Sequence, residues 1–276
     1  MKPMLCKREP VDLAHIDRYL SDDEWVASQK LDGDRILIRV TDRVRALNRE
    51  GELRRNRVPK AVLDQFEPFV SLPGEWCFDG ELMTTGELWL FDLPRAADRV
   101  TPDDPFKFRY QVLDHFMAGG SWPSAPCVRL LPYARTTSAK RALFADLRDR
   151  DAEGLVLRHV DGKYRSGKRS DLLLKAKFTS TADVVVHKVR PDGRNNCTYR
   201  LYRDGVLVPA GSCSLDKRPE VKPGDVIEVR YLYASDDGLL YQPTMVRIRD
   251  DKSPSECTVD QLQYTDRTIV NLEETA

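Results

Sequence analysis

Hydrophobic and polar positions follow two rhythms along this chain. Short apolar or alternating runs predict strands at 25–30, 35–40, 43–48, 76–83, 87–91, 110–114 and 154–159. A helical period predicts helices over about 60–69 and 138–149, the second with Leu143 and Leu147 on one face. The amphipathic run VDLAHIDRYL (11–20) predicts a further short helix. Helices mixed with mostly antiparallel strands, without regular β-α-β alternation, make an α+β pattern.

Near KFTSTAD (177–183) the helical signals stop. Strands VVVHKV, TYRLYRDG, VLVPAGSC, DVIEVRYLY and LLYQPTMVRIRD follow, separated by turn signals that include PDGRN and KPGD. Five short strands predict a small all-β barrel, of which the OB-fold is the common form. Two domains are expected, 1–180 and 181–276.

Composition narrows the class. The chain has 276 residues, 41% hydrophobic and 32% charged, enough to bury a real core. No apolar run is long enough to span a membrane, and MKPMLCKREP lacks the apolar stretch of a secretory signal. Six scattered cysteines form no C-x-x-C pair, which argues against a zinc ribbon or a disulfide framework. A reduced, cytoplasmic protein is expected. Net charge is zero, yet residues 162–180 gather Lys163, Arg165, Lys168, Arg169, Lys175 and Lys177 against one acid, Asp171. That strip suits phosphate contact at one place. Alone, it equally describes a solvated loop.

Several short stretches carry chemistry. In KLDGDR, Lys30 precedes an Asp-Gly turn, with Asp32 and Arg35 close by. A free lysine has a pKa near ~10.4, so a nucleophilic one needs help from positive charge, a metal or burial. The plain alternative is a solvent-facing hairpin. In FDGE, Asp79 and Glu81 stand two apart and would share a strand face, as paired acids do around a cation or a ribose. Glu153 opens EGLVLR, Lys175 and Lys177 stand two apart in LLLKAK, and Arg249 and Lys252 close RDDK.

In this order KLDGDR, NREG, FDGE, EGLVLR, LLLKAK and RDDK resemble the motifs of the covalent nucleotidyltransferases, which include ATP-dependent DNA ligases, RNA ligases and mRNA capping enzymes. The resemblance runs from about residue 25 to 252 and implies a nucleotidyltransferase domain of antiparallel sheets with flanking helices, followed by an OB domain. It implies that Lys30 attacks the α-phosphate of ATP to give lysyl-AMP. Asp32, Arg35 and Glu81 would hold the nucleotide, the last two at its ribose. Arg49 would grip the 5′-phosphate to be joined, with Arg165, Lys168 and Arg169 on nucleic-acid phosphates. Glu153, with Glu81, would hold Mg2+ or Mn2+. Lys175 and Lys177 would neutralise the α-phosphate, and Arg249 and Lys252 would close over the leaving pyrophosphate.

Two positions depart from the family pattern. An aromatic is expected before the aspartate in YQVLDHF, at the purine, and Leu113 stands there; an arginine is often found two residues before Pro243, and Tyr241 stands there. The glutamate opening EGLVLR favours DNA ligases, and the motifs begin too early for a preceding DNA-binding domain. The resemblance is thus to minimal ATP-dependent DNA ligases, acting as a monomer on nicked duplex DNA. A capping guanylyltransferase and a catalytically decayed nucleic-acid-binding protein are the alternatives. Residues 91–108 and the loop GKYRSGKRSD are expected to contact DNA.

Overall fold

The computed structural model describes residues 1–54, 58–118, 127–150, 152–190, 196–215 and 221–264. The described chain divides into two compact units, one of Met1–Asp146 with Gly154–Ala176, the other of Leu147–Glu153 with residues 177–264.

Through residue 177 the elements are β1 (Leu5–Cys6), α1 (Asp17–Leu20), β2 (Trp25–Gln29), β3 (Asp34–Val40), β4 (Val44–Leu47), α2 (Lys60–Asp64), β5 (Trp76–Leu82), β6 (Leu88–Ala96), α3 (Phe106–Ala118), β7 (Val128–Leu130), α4 (Thr137–Asp149), β8 (Gly154–His159), β9 (Arg169–Ser170) and β10 (Leu173–Lys177). One sheet has the order β4-β3-β5-β6-β7 and another β10-β8-β2. Alternation sorts the larger sheet into two faces. Ile36, Ile38 and Val40 of β3 join Trp76, Phe78 and Leu82 of β5 in a core with Phe66, Phe69 and Leu113. The opposite face therefore carries Arg35, Asp79 and Glu81, with Arg35 level with Glu81 and Leu37 with Asp79. At Gly80 a Cβ would stand 2.7 Å from the Trp89 carbonyl oxygen, so β5 and β6 approach closely only because this residue is glycine.

The second unit holds β11 (Ser180–Arg190), β12 (Asn196–Arg203), β13 (Val206–Ser214), β14 (Val226–Tyr231) and β15 (Thr244–Ile248). They form one antiparallel sheet in the order β13-β12-β11-β14-β15. Val184, Val186, Tyr199, Leu201, Ile227, Val229 and Met245 supply its core. Asp204 and Gly205, both at positive φ (52° and 78°), make the two-residue turn between β12 and β13. Among the described residues no strand pairing closes this sheet into the expected barrel. The PDGRN turn, 191–195, lies outside the described residues.

Three expectations need correction. The strand expected at 110–114 is part of α3, whose buried Phe106, Arg109, Tyr110 and Leu113 recur every three or four residues. Five residues are too few to separate the two periods. The helix expected over 60–69 is α2 followed by a 3-10 turn, Glu67–Ser71, with Pro68 near its start. The N-terminal helix shrinks to a 3-10 turn, Leu13–His15, and the single turn α1.

Candidate active site

Lys30 directly follows β2. Its backbone N–H donates to the Gly154 carbonyl at 2.8 Å, and its side chain is half-buried. The chain then turns through Asp32, also half-buried, and Gly33. A Cβ at Gly33 would stand 2.6 Å from the Leu82 carbonyl oxygen and 3.0 Å from Glu81 Cγ. The turn after Lys30 thus lies flush on the end of β5, beside Glu81, where any side chain would collide.

Arg35 and Asp79 form the fixed point of this face. Arg35 Nε donates to Asp79 Oδ1 at 2.7 Å and Nη2 to Oδ2 at 2.8 Å. The guanidinium carbon stands 4.3 Å from the ring centre of Phe91. Burial alone would favour a neutral Arg35; the charge and hydrogen bonds of Asp79 outweigh it and raise the pKa. Asp79 has no exposure and also accepts the Tyr164 hydroxyl at 2.6 Å. The two acids of FDGE share a face as expected: Asp79 accepts from Arg35 and Tyr164, and Glu81 is half-buried beside the Lys30 turn.

Behind Phe91 lies a second buried ion cluster. Asp92 accepts from Arg109 Nε at 2.8 Å and Nη2 at 2.9 Å, and from Arg158 Nη1 at 2.9 Å. Arg158 in turn stands 5.0 Å from the Phe91 ring centre. Burial pushes the Asp92 carboxyl up, but Arg109 and then Arg158 overcome it and hold the group below its ordinary value. Leu113, expected at the base, is fully buried in α3 among the core residues, and a side chain without exposure cannot stack on a nucleotide. In LFDLP, Phe91 precedes Asp92, and its ring lies under the guanidinium groups of both Arg35 and Arg158.

Glu153 is 7% exposed, with Lys177 Nζ 3.6 Å from its Oε1. Lys177 Nζ also donates to Gln242 Oε1 at 2.9 Å, and Lys175 is half-buried on β10. Arg249 and Lys252 converge on one carboxylate that sequence reasoning did not single out, Asp183: Arg249 Nη1 lies 3.0 Å from both oxygens and Lys252 Nζ 2.7 Å from Oδ2. The other edge of Arg249 donates to Asp251, whose carboxyl falls to about 2 through that hydrogen bond. The Asp183 hydrogen bond raises the Lys252 ammonium. Tyr241 is exposed and stacks on Tyr233, 4.7 Å between ring centres.

Arg49 is exposed in a tight turn where the Asn48 side chain accepts the N–H groups of Glu50 and Glu52. Arg165, Lys168 and Arg169 are exposed as well. Their loop is laced to the N-terminus: Lys2 N–H donates to Ser166 Oγ, Leu5 N–H to the Lys168 carbonyl, and Arg169 Nη1 to the Cys6 carbonyl at 2.7 Å. Of the stretch 91–108, β6 takes the first part and α3 the last, leaving 97–105 between them.

Among the described residues no group of three or more Asp, Glu, His or Cys is assembled to cage a metal. Glu81 and Glu153 are single carboxylates. A single carboxylate fits magnesium held mainly by substrate phosphates and water.

No protein-family model and no curated protein matches the sequence. Solved structures do match. The ligase domain of LigD from M. tuberculosis is 21% identical over 94% of this chain and 98% of its own, with a TM-score of 0.51. A Lig E DNA ligase, from work on DNA binding with a minimal scaffold, is 19% identical over 90% of this chain and 99% of its own, TM-score 0.64. Pmar-Lig_PreS3 is 20% identical over 90% of this chain and 67% of its own, TM-score 0.67. The chain has the fold of these structures.

Proposed function

We propose that this chain is an ATP-dependent ligase that joins 3′-hydroxyl and 5′-phosphate ends at nicks in duplex DNA. The observation that carries the reading is the packing of the Lys30 turn against Glu81, at the end of the sheet face that carries the Arg35–Asp79 pair. A lysine, a fixed guanidinium and a carboxylate there suit a nucleotide. Residues 1–180 are the nucleotidyltransferase domain in this reading. Residues 181–276 are an OB domain, and the strand order β13-β12-β11-β14-β15 fits a partly open five-stranded barrel.

Lys30 Nζ, once deprotonated, attacks the α-phosphorus of ATP. The N–P bond forms as the bond to the β-phosphate oxygen breaks, and pyrophosphate leaves. Asp32, Arg35 and Glu81 orient the nucleotide, with Phe91 near the base. Lys175 and Lys177 offset charge on the α-phosphate, and Arg249 and Lys252 receive the pyrophosphate. The adenylate then passes to the 5′-phosphate held by Arg49, with Arg165, Lys168 and Arg169 on flanking phosphates. Attack by the 3′-hydroxyl oxygen on that phosphate releases AMP and closes the strand. Such transfers depend chiefly on positioning and on stabilising charge. Magnesium would be held by Glu81 and Glu153 and would neutralise phosphate charge.

The test is label transfer to the protein from α-labelled ATP and, separately, from α-labelled GTP, after pyrophosphate treatment to strip any adenylate already attached. Labelling by ATP alone, absent in Lys30→Ala, supports the reading. Labelling by GTP moves the assignment to capping chemistry. No label from either nucleotide, with metals varied, means that Lys30 is only a turn residue.

A further inference from the structure

The mechanism above gives no task to Tyr164, a buried side chain beside the Arg35–Asp79 pair. Tyr164 is 3% exposed and packs with Met4 and Leu173. Its hydroxyl accepts the Met4 N–H at 3.0 Å and donates to Asp79 Oδ2 at 2.6 Å. Asp79 thereby receives three hydrogen bonds, two of them from Arg35.

The choice of acceptor sets this tyrosine apart. Tyr110 and Tyr133 also bury their hydroxyls, but each gives its proton to a backbone carbonyl, of Leu131 and Phe91 respectively. Those bonds satisfy a polar group and orient nothing ionic. Tyr164 gives its proton to a carboxylate whose other contacts fix a guanidinium, and a bond to an ionised acceptor is roughly twice as strong as a neutral one. Burial and the neighbouring Asp79 charge push its pKa well above the ordinary value, so it remains a donor throughout the neutral range.

We propose that Tyr164 is a positioning residue for sugar recognition: by fixing Asp79 it fixes Arg35 against the ribose, and so sets the preference for a ribonucleotide over a deoxyribonucleotide. This rests on the ligase reading of the site. Arg35 held only by a mobile carboxylate would sample more than one plane, and a hydrogen bond to a sugar hydroxyl would weaken while contacts to the phosphates stayed as they are.

The experiment is nucleotide–pyrophosphate exchange, which turns the lysyl-AMP step over in both directions, by the wild-type chain, Tyr164→Phe and Tyr110→Phe with ATP and with 2′-deoxy-ATP, reading KM and kcat for each, alongside thermal melting. The expected result is a roughly tenfold rise in KM for ATP in Tyr164→Phe, the order of one charge-assisted hydrogen bond. KM for 2′-deoxy-ATP and both kcat values should change little. Tyr110→Phe, which also loses a buried hydroxyl, should keep the wild-type ratio. Equal losses for both nucleotides, or an unchanged ratio in Tyr164→Phe, overturns the proposal, as does a wild-type chain indifferent to the sugar. Should Tyr164→Phe melt too low to assay, Asp79→Asn carries the same readout with the same expected loss of preference. Failure of the wild-type chain to form any adduct overturns the ligase reading itself, and is seen before any variant is compared.

Discussion

Asp92 and Arg109 form a two-pronged ion pair, 2.8 and 2.9 Å, in which neither side chain reaches solvent. Arg158 completes it at 2.9 Å. Removing one partner of such a group leaves charge buried without compensation. Asp92→Asn is therefore expected to cost about 3–5 kcal/mol of folding stability. Denaturant melts of the two proteins measure it directly, and a change under ~1 kcal/mol would be at odds with this account.

The same carboxylate gives the chain an acid limb. Its pKa is lowered in the folded state, with Arg109 and Arg158 prevailing over burial. The sign follows: the stabilisation is fully present above the unfolded value, about 3.9, and is lost as pH falls through the lower folded value. Melting temperature plotted against pH should fall steeply below ~4, and the Asp92→Asn curve should be flatter there.

Leu113 makes a contrasting case. Buried in α3 against the main sheet, it should behave as a core residue, so Leu113→Ala should cost about 2–5 kcal/mol. Its effect on nucleotide choice should be nil. Competition between ATP and GTP for label transfer, run at a temperature where the variant is folded, checks this.

These cases separate what the chain discloses from what it hides. The antiparallel strands around Arg35 and Glu81 are legible because alternation is local. Leu113 was misplaced because YQVLD alternates over five residues while the helical period needs a longer window. Phe91 was overlooked within an apolar run that gave no reason to prefer one aromatic. The tie between Arg35 and Asp79 spans 44 positions and that between Tyr164 and Asp79 spans 85. No local pattern announces such pairs; sheet register creates them.

Arg249 and Lys252 are expected to act only where pyrophosphate departs. Arg249→Ala or Lys252→Ala should lower label transfer from ATP by roughly a hundredfold, the scale of losing one preorganised charge contact. Sealing of a nick that already carries its adenylate should persist. Parallel loss of both activities would mean that the pair serves the second or third step as well.

Grip on DNA should be electrostatic. Single substitutions of Arg165, Lys168 or Arg169 by Ala should weaken nick binding and reduce the slope of log affinity against log salt by about one each. Titrations at several salt concentrations measure that slope, and unchanged slopes would place these side chains away from the phosphates.

The lacing of residues 2–6 to the loop at 164–170 also dictates an order of events during synthesis. β1 pairs in parallel with β9, Leu5 beside Arg169, and Lys2 bonds Ser166 across 164 positions. β2 likewise waits for β8, since Trp25 lies level with His159. Contacts of such separation form late, because the intervening chain must be closed before they are rewarded. In the larger sheet β3 pairs with β4 and β5, and β5 with β6, all within residues 34–96, so these strands can assemble while the remainder is still being made. Only when the ribosome has released the chain well past residue 170 can β1 find β9, so a pause or truncation before that point leaves β1 without its partner strand.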